Sequence, residues 1–536
     1  MGRITVKGKI IMKVTYLLPS FLFMLILASC SGDEIASNKP TPTNPTEHKD
    51  SIKDEEQITF TSEEPTRTSI THLLGQGAKV FWSTGDWIWV KTSDGVLRQS
   101  SAGTLNIDKT RGVFTMPSTD KYNNGALVTY TGQNSSVGNQ VTIASSQTQS
   151  DCNNFDHAGL SGDCGIGKAI GSGKSFQFTL DHKASYICLL PRSSNGYVNR
   201  SRLFKIEIIS ENDIAGTYNL AENGKLTLAN GGTNRIVLTL GTEFQLNNSS
   251  TDIGKNGSYV VIAPGQHSLA IRYWLRNTTD QPSGSSIEGT ITKYVNMNFQ
   301  PGKIHDITSN LAPTDYSSQK FYMWDAQQDY WQGGNQSSLV GATGSGWPTG
   351  PGPRWYNTGT SAASNSAKSC PNVNQMLWYA HSGDWHTDRD ELWTWRGHLW
   401  KGGTWVLKRA NFSMNANKAP DGQDYRSVSI QNVYGRAYIN YTITKFTRPV
   451  GSQLNRYFFL PYFGIYFNGE YRKNADAYGY YVTSTPYPGN LGACYYIDFY
   501  DNGLFVAQGD RCWWLRNTFS LKLKDCLHRN AAYILF

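Results

Sequence analysis

The chain has 536 residues, a formal net charge of +8, 17% charged residues and 13% aromatic residues. That length is too great for one hydrophobic core, so two to four domains are expected. Low charge, abundant aromatics and 52 glycines fit an extracellular all-β protein better than a helical enzyme, and no dense Lys/Arg cluster marks a nucleic-acid footprint.

Residues 1–29 read as a targeting segment. Arg3, Lys7, Lys9 and Lys13 supply a positive start, with Met12-Lys13-Val14 offering a second initiation point. Tyr16 to Leu27 is an apolar run too short to span a membrane. Without those four cations the net charge is +4. The run ends Leu27-Ala28-Ser29-Cys30, which resembles the bacterial lipoprotein box. The resemblance implies that Cys30 becomes the first mature residue and carries a palmitate-type lipid, which attaches the chain to a membrane without spanning it. Ser31-Gly32-Asp33-Glu34 resembles the export signal that carries lipoproteins of Bacteroidota to the outer face of the outer membrane. Residues 30–55 form a tether: Asn38 to Asp54 is rich in Pro, Thr, Lys and Glu and cannot bury enough surface to fold. Within it, Ser51 in Asp50-Ser51-Ile52 matches a three-residue acceptor pattern for O-glycosylation in that phylum.

Folded structure is expected from Gln57. The alternation Gln57-Ile58-Thr59-Phe60-Thr61 reads as a short strand, followed by the polar break Ser62 to Ser69. Val80 to Val90, two apolar runs around a Gly85-Asp86 corner, reads as strand–turn–strand. Further strands follow at Ala126–Tyr130, Val141–Ile143, Phe176–Leu180 and Ser185–Leu190. A second set comprises Phe204–Ile209, Lys225–Leu228, Ile236–Leu240, Tyr259–Ile262, Ser268–Tyr273 and Gly289–Thr292. Short strands with turn signals between them predict two tandem β-sandwiches, 56–197 and 198–313. Gly171-Ser172-Gly173-Lys174-Ser175 mimics a phosphate-binding loop, but Lys168 stands where the first glycine is required and no strand–helix context exists. Seven cysteines remain after Cys30, an odd number. Cys152 with Cys164, and two of Cys494, Cys512 and Cys526, are candidate pairs. No CxxC or His-spaced zinc pattern is present, and no cofactor is implied.

Four segments carry a family resemblance: Thr66-Arg67-Thr68 with Trp82 to Val90; Phe178 to Ser185 around His182; Asp213-Ile214-Ala215-Gly216-Thr217; and Phe299 to Ile307. In this order they resemble the fimbrillin (Mfa-like) pilins of Bacteroidota, over roughly residues 55 to 313. The resemblance implies two transthyretin-like sandwiches in a surface lipoprotein. It also implies a protease cut after an arginine, loss of the first strand, and filling of the vacated groove by a strand of another subunit. Arg67 is the candidate cut site and Ile58 to Thr61 the removable strand. A solvated loop arginine beside a permanent strand is the competing reading.

Residues 314–536 change character and hold twelve of the sixteen tryptophans. Cys370 to Tyr379 is the best helix candidate, with Pro371 in its first turn. Cys494 to Tyr500 and Leu504 to Gln508 read as a hairpin. Phe458-Phe459-Leu460-Pro461-Tyr462-Phe463-Gly464, then Asn468-Gly469, then Tyr478 to Thr485, then the hairpin, resemble the Fibrobacter-type major paralogous module. That resemblance implies an α+β fold similar to C-type lectins. Val482 stands where tryptophan is usual, and the calcium-lectin motifs are missing. Asp384, His386, Asp388 and Asp390 are candidate metal ligands, because hard cations need converging oxygens; a turn network is the alternative. Trp385, Trp393, Trp395, Trp400 and Trp405 are candidates for stacking on a ligand.

The expected protein is a non-enzymatic surface lipoprotein, a minor or tip fimbrial subunit. Its partners would be other subunits, the outer membrane through its lipid, and a host, bacterial or glycan receptor. No spare donor strand is evident after the aromatic module, which points to a tip. A stand-alone glycan-binding lipoprotein is the first alternative, and a surface hydrolase using carboxylates near Asp384 the second.

Overall fold

The computed structural model describes residues 57–63, 69–75, 77–281, 284–337, 342–449, 451–472, 478–500, 502–512 and 516–517. Cys30, Ser51, Arg67 and Cys526 lie outside the described residues. The described chain is mainly β.

Two five-stranded sheets share the first core. One is ordered Ile170–Ser172, Ser175–Phe178, Ile58–Ser62, Gly112–Met116, Thr104–Leu105; the other is ordered Asp181–His182, Gly165–Lys168, Leu127–Tyr130, Trp89–Lys91, Leu97–Gln99. Side-chain alternation turns Phe60, Phe114, Met116, Phe176 and Phe178 from the first sheet, and Val90, Val128 and Tyr130 from the second, into one cluster with Trp82. Trp82 meets Phe114 edge-on at 4.7 Å and Tyr130 at 5.8 Å.

Val80 to Val90 is strand, turn and strand, but its two strands do not pair with each other. Gly77–Phe81 pairs back with Ser69–Leu73, whereas Trp89–Lys91 joins the second five-stranded sheet. The corner between them is held inside. Asp86 is buried and accepts from the Ser83 amide (2.6 Å), Gln133 Nε2 (2.7 Å) and the Tyr130 hydroxyl (3.2 Å). The loop mimic at 171–175 is a hairpin turn between Ile170–Ser172 and Ser175–Phe178.

The second core does not begin at residue 198. Val141, Ile143, Phe155, Ala158 and Cys164 already belong to it, as do Tyr186 to Leu190. Between these stretches Ala169, Phe176, Phe178 and Leu180 return to the first core. The final crossing is Ser185–Arg192, paired antiparallel with Ser258–Ile262 and parallel with Ile304–Asn310.

Nor does a boundary fall cleanly at residue 313. The largest sheet runs Ser146–Gln149, Arg235–Gln245, Arg202–Ser210, Gly265–Asn277, Ile287–Phe299, His386–Trp395, His398–Leu407, Tyr457–Pro461. Its second-core half meets its C-terminal half at the parallel pair Thr290↔Glu391. Gly289 permits that approach: a Cβ there would lie 2.5 Å from the Asp390 carbonyl and 2.7 Å from Leu392 Cδ2. Leu392 and Leu399 enter the second core.

The rest of the C-terminal part is organised by a six-stranded sheet: Phe321–Tyr322, Arg516–Asn517, Gly479–Pro486, Ala493–Tyr500, Gly503–Asp510, Tyr438–Thr442. The helix Val373–Ser382 packs into the same core through Val373, Met376, Leu377 and Ala380, an i, i+3, i+4, i+7 stripe. Pro371 stands before this helix rather than in its first turn. Asn372 is the N-cap, and its side chain and that of Gln375 cap reciprocally. The expected hairpin is present, with Tyr500 opposite Gly503. Asn468 and Gly469, at φ 47° and 76°, form the two-residue turn joining Ile465–Phe467 to Glu470–Arg472.

All six described cysteines are unbridged. Cys152 and Cys164 do not pair: the Cys152 thiol donates to the Gly254 carbonyl at 2.9 Å, while Cys164 is buried in the second core. Cys494 and Cys512 likewise form no disulfide with each other.

His157, buried with Nδ1 2.8 Å from Ser161 Oγ, carries a pH dependence. Burial lowers its pKa from 6.5 to about 4, against a weaker upward pull from Asp156. Below about pH 6.5 the unfolded chain takes a proton that the folded chain refuses, so stability falls as pH drops, until the folded pKa is reached. The expected loss across that window is roughly 3 kcal/mol. Urea melts of wild type and His157→Gln near pH 7 and pH 4.5 should show a flatter decline in the variant.

Candidate functional site

The lead strand Ile58–Ser62 occupies an interior position in its sheet. It pairs parallel with Ser175–Phe178 on one side and antiparallel with Gly112–Met116 on the other. Its alternation sends Ile58, Phe60 and Ser62 inward. Phe60 is fully buried, stacks on Phe176 at 4.7 Å and meets Tyr122 edge-on at 5.2 Å. Ser62 Oγ accepts from Trp82 Nε1 (2.9 Å) and the Gly112 amide (2.8 Å). Backbone bonds from Thr59 to Lys174 and from Glu63 to Phe178 frame the strand. Burying Ile58 and Phe60 contributes roughly 3–6 kcal/mol. Lifting this one strand would leave two facing unpaired edges roughly 10 Å apart, the width of one missing strand. Arg67 follows the strand, outside the described residues. The next anchored element is the hairpin strand Ser69–Leu73, whose His72 Nε2 lies 2.6 Å from Asp306 Oδ1. His182 of the strand–His–strand segment is a structural anchor, with Nδ1 2.8 Å from buried Asp163.

The five tryptophans offered for ligand stacking are core residues. Trp385, Trp393, Trp395, Trp400 and Trp405 are all buried, the most accessible being 8% exposed. Trp393 stacks on Trp400 at 5.9 Å, and both pack in one cluster with Trp395 and Phe463. The indole N–H groups of Trp385, Trp393 and Trp400 donate to the carbonyls of Tyr379, Gly402 and Trp395. Rings buried to this degree present no face to a ligand. The His386–Trp395 and His398–Leu407 strands are covered on both sides, which an alternating pattern would not have required.

The candidate metal ligands are distributed along the seam and engaged by cations. Asp384 accepts from Lys445 Nζ (2.6 Å) and the Tyr457 hydroxyl (2.6 Å), and His386 Nε2 lies 3.4 Å away. Burial works against the ionised form of Asp384, but these bonds outweigh it and lower its pKa. Asp388 is buried, 3.2 Å from Arg272 and 3.7 Å from Arg448, and accepts from Trp405 Nε1 at 3.3 Å. Asp390 lies 3.7 Å from Arg272, and burial raises its pKa. Glu391 takes a 2.6 Å bond from Arg448 and hydroxyl bonds from Thr290 and Thr292. Burial pushes Glu391 up against the pull of Arg448. Arg448 also lies over the Trp405 ring at 4.5 Å. Arginines therefore fill the role assigned to a cation, and Asp388 faces protein rather than a substrate cleft.

An open cleft of about 260 Å³ lies elsewhere in the C-terminal part, between the Val373–Ser382 helix, the Ile430–Tyr434 helix and Tyr438–Thr442. His381, Pro420, Asp421, Tyr434 and Tyr441 line it. Asp421 accepts from the hydroxyls of Tyr425 (2.5 Å) and Tyr434 (2.8 Å) and from the Gln423 amide (3.0 Å). Burial opposes its ionisation, but these bonds prevail and lower its pKa. Exposed tyrosine and histidine rings beside an ionised acceptor suit a polyhydroxylated ligand. Asp421-Gly422 and Tyr434-Gly435 mark turns in the sequence, but no local signal brings those turns together.

No protein-family profile matches the chain, and no curated protein matches it. About half of it is similar to solved structures. A "putative cell adhesion protein" from Bacteroides ovatus is 15% identical, with TM-score 0.29 over 47% of this chain and 91% of that one. One of the same description from Bacteroides uniformis is 15% identical, with TM-score 0.29 over 48% and 94%. The fimbrial anchor protein Mfa2 from Porphyromonas gingivalis is 10% identical, with TM-score 0.23 over 47% and 90%. Likeness this weak transfers neither fold nor activity to this chain.

The seam charges make a sharp prediction. Arg448→Met removes the cation of Glu391, while Asp388 keeps Arg272, and should cost about 3–5 kcal/mol. The double variant Arg448→Met/Glu391→Gln should recover part of that loss. Guanidinium melts followed by tryptophan fluorescence measure both.

Proposed function

We propose that the chain is a cell-surface fimbrial subunit of adhesin type, in a minor or tip position, whose precursor is delivered to the outer membrane through lipidated Cys30. Its lead strand Ile58–Ser62 is released by cleavage after Arg67, and a strand of another subunit takes its place. The observation that carries this reading is the interior position of an N-terminal strand. As the first strand of the fold it can leave with the segment before it, and its departure opens a slot with hydrogen-bonding edges on both sides. An incoming donor would need an apolar side chain to fill the space between Phe176 and Tyr122 that Phe60 occupies.

The C-terminal cleft around Asp421 and Tyr434 is the surface proposed to meet the receptor, in place of the buried tryptophans. Its chemistry favours a glycan over an apolar peptide, because its carboxylate accepts hydrogen bonds and its rings are tyrosine and histidine. The same cleft would serve a stand-alone glycan-binding lipoprotein, so cutting and assembly separate the two readings.

Arginine-specific proteolysis of the full chain should release a fragment ending at Arg67 and yield a product that binds a synthetic donor-strand peptide or assembles. Arg67→Gln should block both events. A chain that stays whole, or a cut product that neither unmasks the slot nor binds a strand, sinks the fimbrial reading. On a glycan array, Tyr434→Ala and Asp421→Asn should each weaken the strongest signal by roughly tenfold, the equivalent of one lost hydrogen bond or ring contact. Unchanged signals would move the receptor surface elsewhere.

A further inference from the structure

Three strands from distant parts of the chain bring together side chains that no sequence spacing connects. The parallel pairing of Ser185–Arg192 with Ile304–Asn310 sets Cys188 directly opposite Asp306. The antiparallel pairing with Ser258–Ile262 sets Tyr259 opposite Cys188 on its other side. Opposed residues on neighbouring strands stand about 5 Å apart on one face. His72, from the Ser69–Leu73 hairpin strand, comes down on this row. Its Nε2 lies 2.6 Å from Asp306 Oδ1, and its ring meets Tyr259 edge-on at 6.2 Å. One imidazole nitrogen, one thiol sulfur and one carboxylate oxygen thus lie within 4.8 Å of one another. Among the described residues this is the only such group of three.

The donor set has a definite chemical preference. Calcium and magnesium take oxygen ligands. A mixed sulfur, nitrogen and oxygen set suits zinc, whose bonds of about 2.0–2.3 Å place tetrahedral ligand atoms roughly 3–4 Å apart. The three atoms are already near that spacing. His72 and Cys188 are buried, whereas the Asp306 side chain is 32% exposed and leaves a way in from solvent. Cys188 forms no disulfide. The Tyr259 hydroxyl, bonded to Asn153 Oδ1 at 2.6 Å, also contacts the sulfur, as an outer partner that orients a ligand.

We propose that His72, Cys188 and Asp306 form a binding site for one thiophilic divalent cation of the zinc class, with water completing the tetrahedron. The ion displaces the proton of the Cys188 thiol, which passes to solvent, and takes up the His72 Nε2 that otherwise meets Asp306. Because binding releases that proton, it weakens as pH falls. The bound ion ties the hairpin strand Ser69–Leu73 to the Ile304–Asn310 strand. It does so whether or not the chain is cut at Arg67, and the proposal is independent of the fimbrial reading.

The test uses the full mature chain without a polyhistidine tag, stripped with chelator and titrated with Co²⁺ as an optical stand-in for Zn²⁺. One Co²⁺ per chain should bind, with an ultraviolet sulfur-to-cobalt charge-transfer band and the strong visible bands of a tetrahedral site. Added Zn²⁺ should erase those bands and raise Tm. Cys188→Ala should abolish the sulfur band. His72→Gln and Asp306→Asn, which keep the thiol, should weaken binding by about 100-fold or more, since even outer partners of a metal site are worth about 10–100-fold. Circular dichroism of the stripped proteins confirms that each variant folds, and Asp306→Asn, at a partly exposed position, guards against loss of the buried variants. Absence of a sulfur band, an equal band in Cys188→Ala, or a Zn²⁺-dependent Tm shift unchanged in His72→Gln and Asp306→Asn would overturn the site. The trio would then be a histidine–carboxylate pair beside a buried thiol.

Discussion

The C-terminal part of this protein is joined to its second core by a seam of buried charge. The backbone link there is slight, a parallel pair at Thr290 and Glu391 beside a glycine. Around it, Arg272 and Arg448 reach Asp388 and Glu391 from different parts of the chain. Arg272 also lies 3.7 Å from Glu207, so the seam reaches the neighbouring strand Arg202–Ser210. Taking charges out of water is costly, and such a cluster is tolerated only when every member is matched. Matching of this kind has one geometry. A slip of one residue in the strand pairing would turn each carboxylate away from its arginine. The charges therefore contribute less to net stability than to the choice of a single register.

The lead strand obeys the opposite logic. It is held by ordinary means: alternating burial, two ladders of backbone hydrogen bonds and one stacked ring pair. None of these depends on a unique partner. Ser62 adds the one specific contact, its buried Oγ accepting from Trp82 Nε1 and the Gly112 amide. The hairpin that follows is fastened separately to the second core through His72 and Asp306. Its attachment does not rely on the lead strand, so the two are anchored independently.

Local features of this fold were legible in the residues. Strands were read at Gln57–Thr61, Tyr259–Ile262 and Leu504–Gln508, within a residue or two of the observed Ile58–Ser62, Ser258–Ile262 and Gly503–Asp510, and Asn468-Gly469 forms its two-residue turn. The helix at Val373 was legible too, apart from its start: Asn372 caps it, so Pro371 stands outside. The misreadings have a common cause. Val80 to Val90 is the strand, turn and strand its pattern suggested, but which strands they pair with was not in that pattern. The tryptophans looked like a binding platform, but strands covered on both faces place even a repeated aromatic inside. Asp384, Asp388 and Asp390 looked like cation ligands, which they are, with lysine and arginine as the cations.

Taken alone, the sequence determined a β-rich chain with a short N-terminal strand and an aromatic C-terminal part, because period, turn chemistry and composition are local properties. Tertiary structure alone decided which strands are neighbours. It sent residues 141–164 into the second core, carried one sheet past residue 313, set Cys188 opposite Asp306 beneath His72, and placed the open cleft at Asp421 instead of among the tryptophans. The physical reason is that strand register is settled by contacts between residues far apart in the chain. No window of sequence contains both partners.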